Sequence, residues 1–225
     1  LGGGVDIADN RTSGIEARDL SVLKIRGDGN TIEGNNKGVL LVSPAIADIG
    51  ATGDVIVNNG VGLVVRGANS DVARTTRIYS TDPSNHLAIA GNMLGGIVLD
   101  TTGAPYRLCL KNVAIVENES AAIFASGLGS RLDINTACGY PAEAAISCPP
   151  DRQDGECNVL GGNASDLGQP LIEAVYGARV EIDRTRIRTS SVARNQADNV
   201  AAADSRSSIN VTNSVVAKTD GGNPG

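Results

Sequence analysis

Hydrophobic residues alternate with polar ones in short runs along this chain, and the runs return in a fixed order. The clearest instance is Val57 to Val65, V-N-N-G-V-G-L-V-V: an aliphatic residue, Asn, a short turn, Gly, then an alternating apolar strand. Copies read I-E-G-N-N-K-G-V-L-L-V (Ile32 to Val42), A-G-N-M-L-G-G-I-V-L-D (Ala90 to Asp100) and V-E-N-E-S-A-A-I-F-A-S (Val116 to Ser126). An earlier copy begins at Asp9, and degenerate ones lie near Asn163 and Asn195. A period of two marks half-buried strands. The first inward aliphatic of each copy is then Ile15, Val39, Leu63, Ile97, Ile123, Ile172 and Val200. They are separated by 24, 24, 34, 26, 49 and 28 residues. Steps of that length mean stacked units, with insertions in the longer ones.

Each unit holds further strands. D-V-I-V, H-L-A-I and N-V-A-I-V precede the Asn turns, and V-L-K-I-R, R-I-Y and R-L-C-L precede those. R-L-D-I-N, R-V-E-I-D and S-I-N-V follow later. A unit is thus strand, tight turn, strand, Asn turn, strand, with no amphipathic helix between, which argues against a βαβ sheet. A leucine-rich repeat places its Asn after the strand, not before it.

The pattern v-x-i-x-N-x-x-i-x-x-N-x-x-x-G-I-x-L resembles the right-handed parallel β-helix of the pectate-lyase-like superfamily, over roughly residues 5–217. The resemblance implies an all-β, single-stranded right-handed parallel β-helix, a solenoid of about seven or eight coils. Ile15, Val39, Leu63, Ile97 and Ile123 should form one inward ladder. Ala17, Leu41, Val65, Leu99 and Ala125 should form the next. Asn suits the bend because it tolerates the left-handed conformation and its amide can bond the neighbouring backbone. Stacked Asn residues can also bond each other along the axis. Gly or Ala after the turn relieves crowding.

Thr136 to Leu160 breaks the rhythm and reads as a loop inserted at a turn of a single domain, residues 1–225. It carries Cys138, Cys148 and Cys157; Cys109 lies in L-C-L, facing out between inward leucines. An even cysteine count in such a chain suggests disulfides and an exported protein, secreted, periplasmic or at the cell surface. A zinc site lacks C-x-x-C spacing, and His86, the one histidine, is distant; reduced thiols are the third reading. Of the three connectivities, Cys109–Cys138 with Cys148–Cys157 is preferred. A smaller insertion spans Arg66 to Thr76. The net charge of −6 argues against nucleic acid and anionic membranes as partners. No apolar run reaches the length of a membrane span. The Gly-rich ends and the initial Leu1 read as a segment of a larger protein.

The resemblance also implies polysaccharide lyases and glycoside hydrolases. Their hydrolase pattern of N-T-D, D-D, G-H-G and R-I-K is matched only by Arg186-Ile187-Arg188; His86 sits in N-H-L. A lyase needs carboxylates on Ca²⁺ and an Arg base. Arg66 and Asp100 fall in adjacent coils on the outward phase, where a surface ion pair is the plainer reading. Asp133 and Glu181, pointing outward from a different sheet, read as a solvated face. Of four N-x-[ST] triplets, those at Asn10, Asn118 and Asn163 occupy turn positions; the fourth is at Asn210.

The phase set by Glu16 and Arg18 puts Leu40, Val64, Val98 and Phe124 outside in consecutive coils. An apolar stripe there calls for a cover: a loop of this chain, a flanking domain or a second copy. The function expected is a non-catalytic exported segment, a rigid stalk or a surface contacting a polysaccharide or protein partner, with no cofactor and no metal. The alternative is a lyase or hydrolase, with Ca²⁺ in the lyase case.

Overall fold

The computed structural model describes residues 1–42, 45–67, 74–82, 85–101, 105–135, 138, 158–161, 170–189 and 200–218. Every regular element among them is a β-strand, and the strands sort into three sheets taken in rotation by the chain. Sheet A holds β1 (Asp6–Ala8), β4 (Thr31–Glu33), β7 (Gly53–Val57), β10 (Leu87–Ala90), β13 (Val113–Val116), β16 (Val159–Gly161), β19 (Arg186–Thr189) and β22 (Val215–Lys218). Sheet B holds β2 (Ser13–Ala17), β5 (Lys37–Val42), β8 (Val61–Arg66), β11 (Ile97–Asp100), β14 (Ile123–Ser126), β17 (Ile172–Val175) and β20 (Val200–Ala202). Sheet C holds β3 (Val22–Arg26), β6 (Ile46–Gly50), β9 (Arg74–Tyr79), β12 (Tyr106–Lys111), β15 (Ser130–Ile134), β18 (Arg179–Asp183) and β21 (Ser208–Thr212). All neighbours pair in parallel, so the molecule is a parallel β-helix of seven to eight coils. No helix among the described residues is long and apolar enough to cross a membrane.

The register of sheet B matches the repeat read from the sequence. Ile15, Val39, Leu63, Ile97, Ile123, Ile172 and Val200 stand over one another. Two residues on, Ala17, Leu41, Val65, Leu99 and Ala125 form the second ladder. From Val39 to Ile172 in the first ladder and from Ala17 to Ala125 in the second, these residues enter one continuous core with Ile32, Ile56 and Ile89 of sheet A and Ile25, Ile49 and Ile78 of sheet C. Ile15, at the first coil, is only half-buried because a neighbour covers one side of it alone.

The A-to-B bend explains the Asn motif. Asn10, Asn35, Asn59, Asn92 and Asn118 form a chain in which each Nδ2 donates to the next Oδ1, at 2.8–3.2 Å. Each of those Oδ1 atoms also accepts the backbone N–H of the preceding Asn, at 2.8–3.0 Å. The left-handed conformation belongs to the residue before each: Asp9, Gly34, Asn58, Gly91 and Glu117 have φ of 53–64°. The Asn is therefore selected for its amide, and its neighbour makes the bend. Gly38, Gly62 and Gly96 follow the bend, and there is no room for a side chain. A Cβ on Gly62 would stand 2.7 Å from Ile89 Cγ2 and 2.7 Å from the Gly96 carbonyl.

One inward polar residue interrupts the sheet C ladder. Thr76 takes a place held by Leu108 in the next coil. Its Oγ1 accepts the Ala47 N–H at 2.9 Å and bonds the Tyr106 hydroxyl at 2.7 Å. Tyr106 donates onward to the Ala45 carbonyl at 2.9 Å, tying three coils together through the core. Burial pushes its phenol up to about 12, against the opposing pull of Thr76 and Arg74.

Candidate functional site

The chemistry concentrates on the outward face of sheet C. In β12, β15 and β18 the inward residues Leu108, Leu132 and Val180 belong to the core. Strand alternation then turns Arg107, Arg131 and Arg179 outward, and these stand in direct register in three consecutive coils. Two residues on lies a second outward row: Arg77, Cys109, Asp133 and Glu181.

Asp133 is not part of a solvated face; it is fully buried. Arg131 grips it with Nε on Oδ2 at 2.8 Å and Nη2 on Oδ1 at 2.9 Å, and Arg107 Nε reaches Oδ2 at 2.5 Å. Burial alone would raise its carboxyl, but the hydrogen bonds from Arg131 and Arg107 win and hold it below the usual carboxylate range. Glu181 repeats the scheme closer to water. Burial pulls it upward, while Arg179 at 2.7 Å and Asn210 at 3.0 Å outweigh that and lower it. Each carboxylate therefore fixes a guanidinium in place. Four arginines, Arg77, Arg107, Arg131 and Arg179, stand here with the carboxylates Asp133 and Glu181, and Asp48 is in register beside Arg77.

Further along the face, Gly50 leaves space for the Tyr79 ring, which would touch a Cβ there at 2.7 Å. The Arg26 guanidinium lies over that ring, 5.7 Å from its centroid, and pairs with Asp48 at 2.7 Å.

Cys109 bonds Cys138, with Cα atoms 6.2 Å apart, as preferred from the sequence. Arg77 Nε donates to the Cys138 carbonyl at 3.0 Å, anchoring the start of the insertion to the strip. Cys148 and Cys157 lie outside the described residues. The ligand atoms of Cys109, Asp133 and Cys138 lie within 4.8 Å of one another. Yet the two sulfurs are bonded together and Asp133 is held by two cations, so this trio is unsuited to a metal ion.

Arg66 and Asp100 are register neighbours, as expected. Arg66 is exposed and Asp100 half-buried, and no ion pair joins them among the described residues. Leu40, Val64, Val98 and Phe124 are also stacked in register on the outward phase. Leu40 and Val64 stand outside the core cluster yet are only 7% and 3% exposed. With one chain present, their cover comes from the chain itself. Val98 and Phe124 are half-buried. His86 uses its carbonyl to accept the Gly53 N–H at 3.0 Å. Ile187 is buried between Arg186 and Arg188, and Asn118, a glycosylation triplet by sequence, is buried within the Asn chain.

Sequence reasoning misses the arginine strip. Its signal is a repeated spacing, R-L-C, R-L-D and R-V-E, which reads first as ordinary strand alternation. Compared with known proteins, the chain matches no family model, no curated protein and no solved structure.

Proposed function

We propose that this chain is a non-catalytic, exported β-helix segment that serves as a rigid scaffold and presents the sheet C arginine strip to an acidic polysaccharide. The observation that carries this reading is the register of Arg107, Arg131 and Arg179. Coil stacking repeats an arginine every ~4.8 Å of backbone along the axis, a spacing suited to a linear polymer with a charge on each unit. Arginine offers a planar fork of donors for carboxylate or sulfate oxygens. Asp133 and Glu181 hold the guanidinium groups in advance, which lowers the ordering cost of binding. The Cys109–Cys138 bond supports export, since disulfides persist in oxidising compartments.

The test is a titration of the purified protein with oligogalacturonate, heparin and neutral dextran, with and without Ca²⁺. Saturable, salt-sensitive binding of an acidic polymer, with none of dextran, is the expected result. Arg179→Gln should weaken it while lowering the melting temperature only slightly, since Arg179 is exposed and Asn210 still holds Glu181. Release of unsaturated products would replace this reading with a lyase, and Asp100→Ala would then locate the site.

A further inference from the structure

Among the described residues, the aromatic side chains are buried or half-buried except one. Tyr79 and Tyr106 are 2% and 1% exposed and Phe124 is half-buried, whereas Tyr176 is 75% exposed. It sits in the turn from β17 to β18, three residues before Arg179, with φ at 55°. A bulky L-residue rarely adopts that conformation, and such outliers persist where the surroundings impose them. The previous coil makes the same turn with glycines, Gly127 and Gly129, both at positive φ.

The imposing partner is the next coil. The Tyr176 N–H donates to the Asp204 carboxylate, and the Gly177 N–H donates to Ser207 Oγ at 2.9 Å. Asp204 also accepts from the N–H of Arg206 at 2.8 Å and from the Ser207 hydroxyl at 2.7 Å. Leu128, itself 65% exposed, occupies the same turn one coil earlier. A Cβ added at Gly177 would stand 3.0 Å from Leu128 Cδ1 and 3.7 Å from Arg206 Cβ, so the three corners are packed together. Leu128, Tyr176 and Arg206 are thus exposed residues at one corner of the coils, in the turns that lead into the strands carrying Arg131 and Arg179.

We propose that Tyr176, flanked by Leu128 and Arg206, is a stacking platform for one sugar ring of an anionic polysaccharide whose charged groups lie on Arg131 and Arg179. The assignment rests on the glycan reading above and adds a requirement to it. The arginines alone would take any polyanion. An aromatic face adds affinity only for a ligand with an apolar ring face, such as a pyranose.

The experiment uses the intact protein, oligogalacturonate and heparin as the carboxylated and sulfated probes, and inorganic polyphosphate as a polyanion without rings. Tyr176→Gly removes the ring and suits the positive φ, so its melting temperature should equal or exceed that of the parent. It should weaken binding of whichever glycan the parent takes by about tenfold, and change polyphosphate affinity by less than about twofold. Arg179→Gln should weaken both. Unchanged glycan affinity in Tyr176→Gly overturns the platform and leaves the arginine strip standing. Equal losses for glycan and polyphosphate also overturn it, since the ring would then act only through the cations. Failure of the parent to bind either glycan overturns the strip itself, and the platform with it.

Discussion

Asn59 carries more hydrogen bonds than its size suggests. Its Nδ2 serves the Ile32 and Val57 carbonyls, both at 2.9 Å, besides Asn92, and its Oδ1 accepts twice from Asn35. Asn59→Ala should therefore strand several buried groups and cost at least about 2 kcal/mol in urea unfolding. Asn10→Ala, at the exposed end of the chain of amides, should cost markedly less. Gly62→Ala should cost about 1–3 kcal/mol, because its new Cβ meets backbone and a branched side chain rather than a flexible tip. Tyr106 supplies a test at alkaline pH. Its native pKa of about 12 lies above the ordinary phenol value, so its stabilisation is complete below about pH 10 and declines as pH rises towards 12. Tyr106→Phe should remove that alkaline loss while lowering stability near neutrality.

At the scale of the strand, the inward half of the pattern is legible and the outward half is not. Ile15, Val39 and Leu63 announce themselves because period-two alternation and the Asn turn fix their phase independently. Arg107, Arg131 and Asp133 carry no such mark. A charged residue on the outward phase reads the same whether it is hydrated or buried in a pair, and the contact of Arg107 with Asp133 crosses 26 residues of chain. The bend is misread by one position for a related reason. In N-N, G-N and E-N the sequence does not say which residue takes the positive φ. Asp133 tests the strip directly. Asp133→Asn should destabilise by about 1–3 kcal/mol, because Arg107 and Arg131 are part-exposed and can be rehydrated. The native pKa values of Asp133 and Glu181 lie below those of the unfolded chain. Their contribution is thus present above the ordinary carboxylate range and lost as pH falls through the native values. Asp204, lowered to about 2 by Ser207 and the Arg206 N–H, extends the loss to that pH. The melting temperature should fall below about pH 4, and less steeply in Asp133→Asn.

Across the whole molecule, each coil packs mainly on its neighbours, with Tyr106 reaching two coils back to the Ala45 carbonyl, so stability is close to a sum of coil and interface terms. The Cys109–Cys138 bond closes a loop of 29 residues between adjacent coils. Reduction should lower unfolding stability by about 3–4 kcal/mol, measured as a shift in the urea midpoint with and without dithiothreitol. The amide chain at the A-to-B bend has a further consequence. Every member gives in one direction and receives from the other, so any two of its coils present compatible ends. Removing residues 39–62 would bring Leu63 onto Ile15 and delete the Asn59 rung, leaving Asn35 to receive from Asn10 and give to Asn92, whereas removing half that span would break every ladder at once. Length in this protein is thus counted in whole coils, and its natural history should be one of gaining and losing them entire.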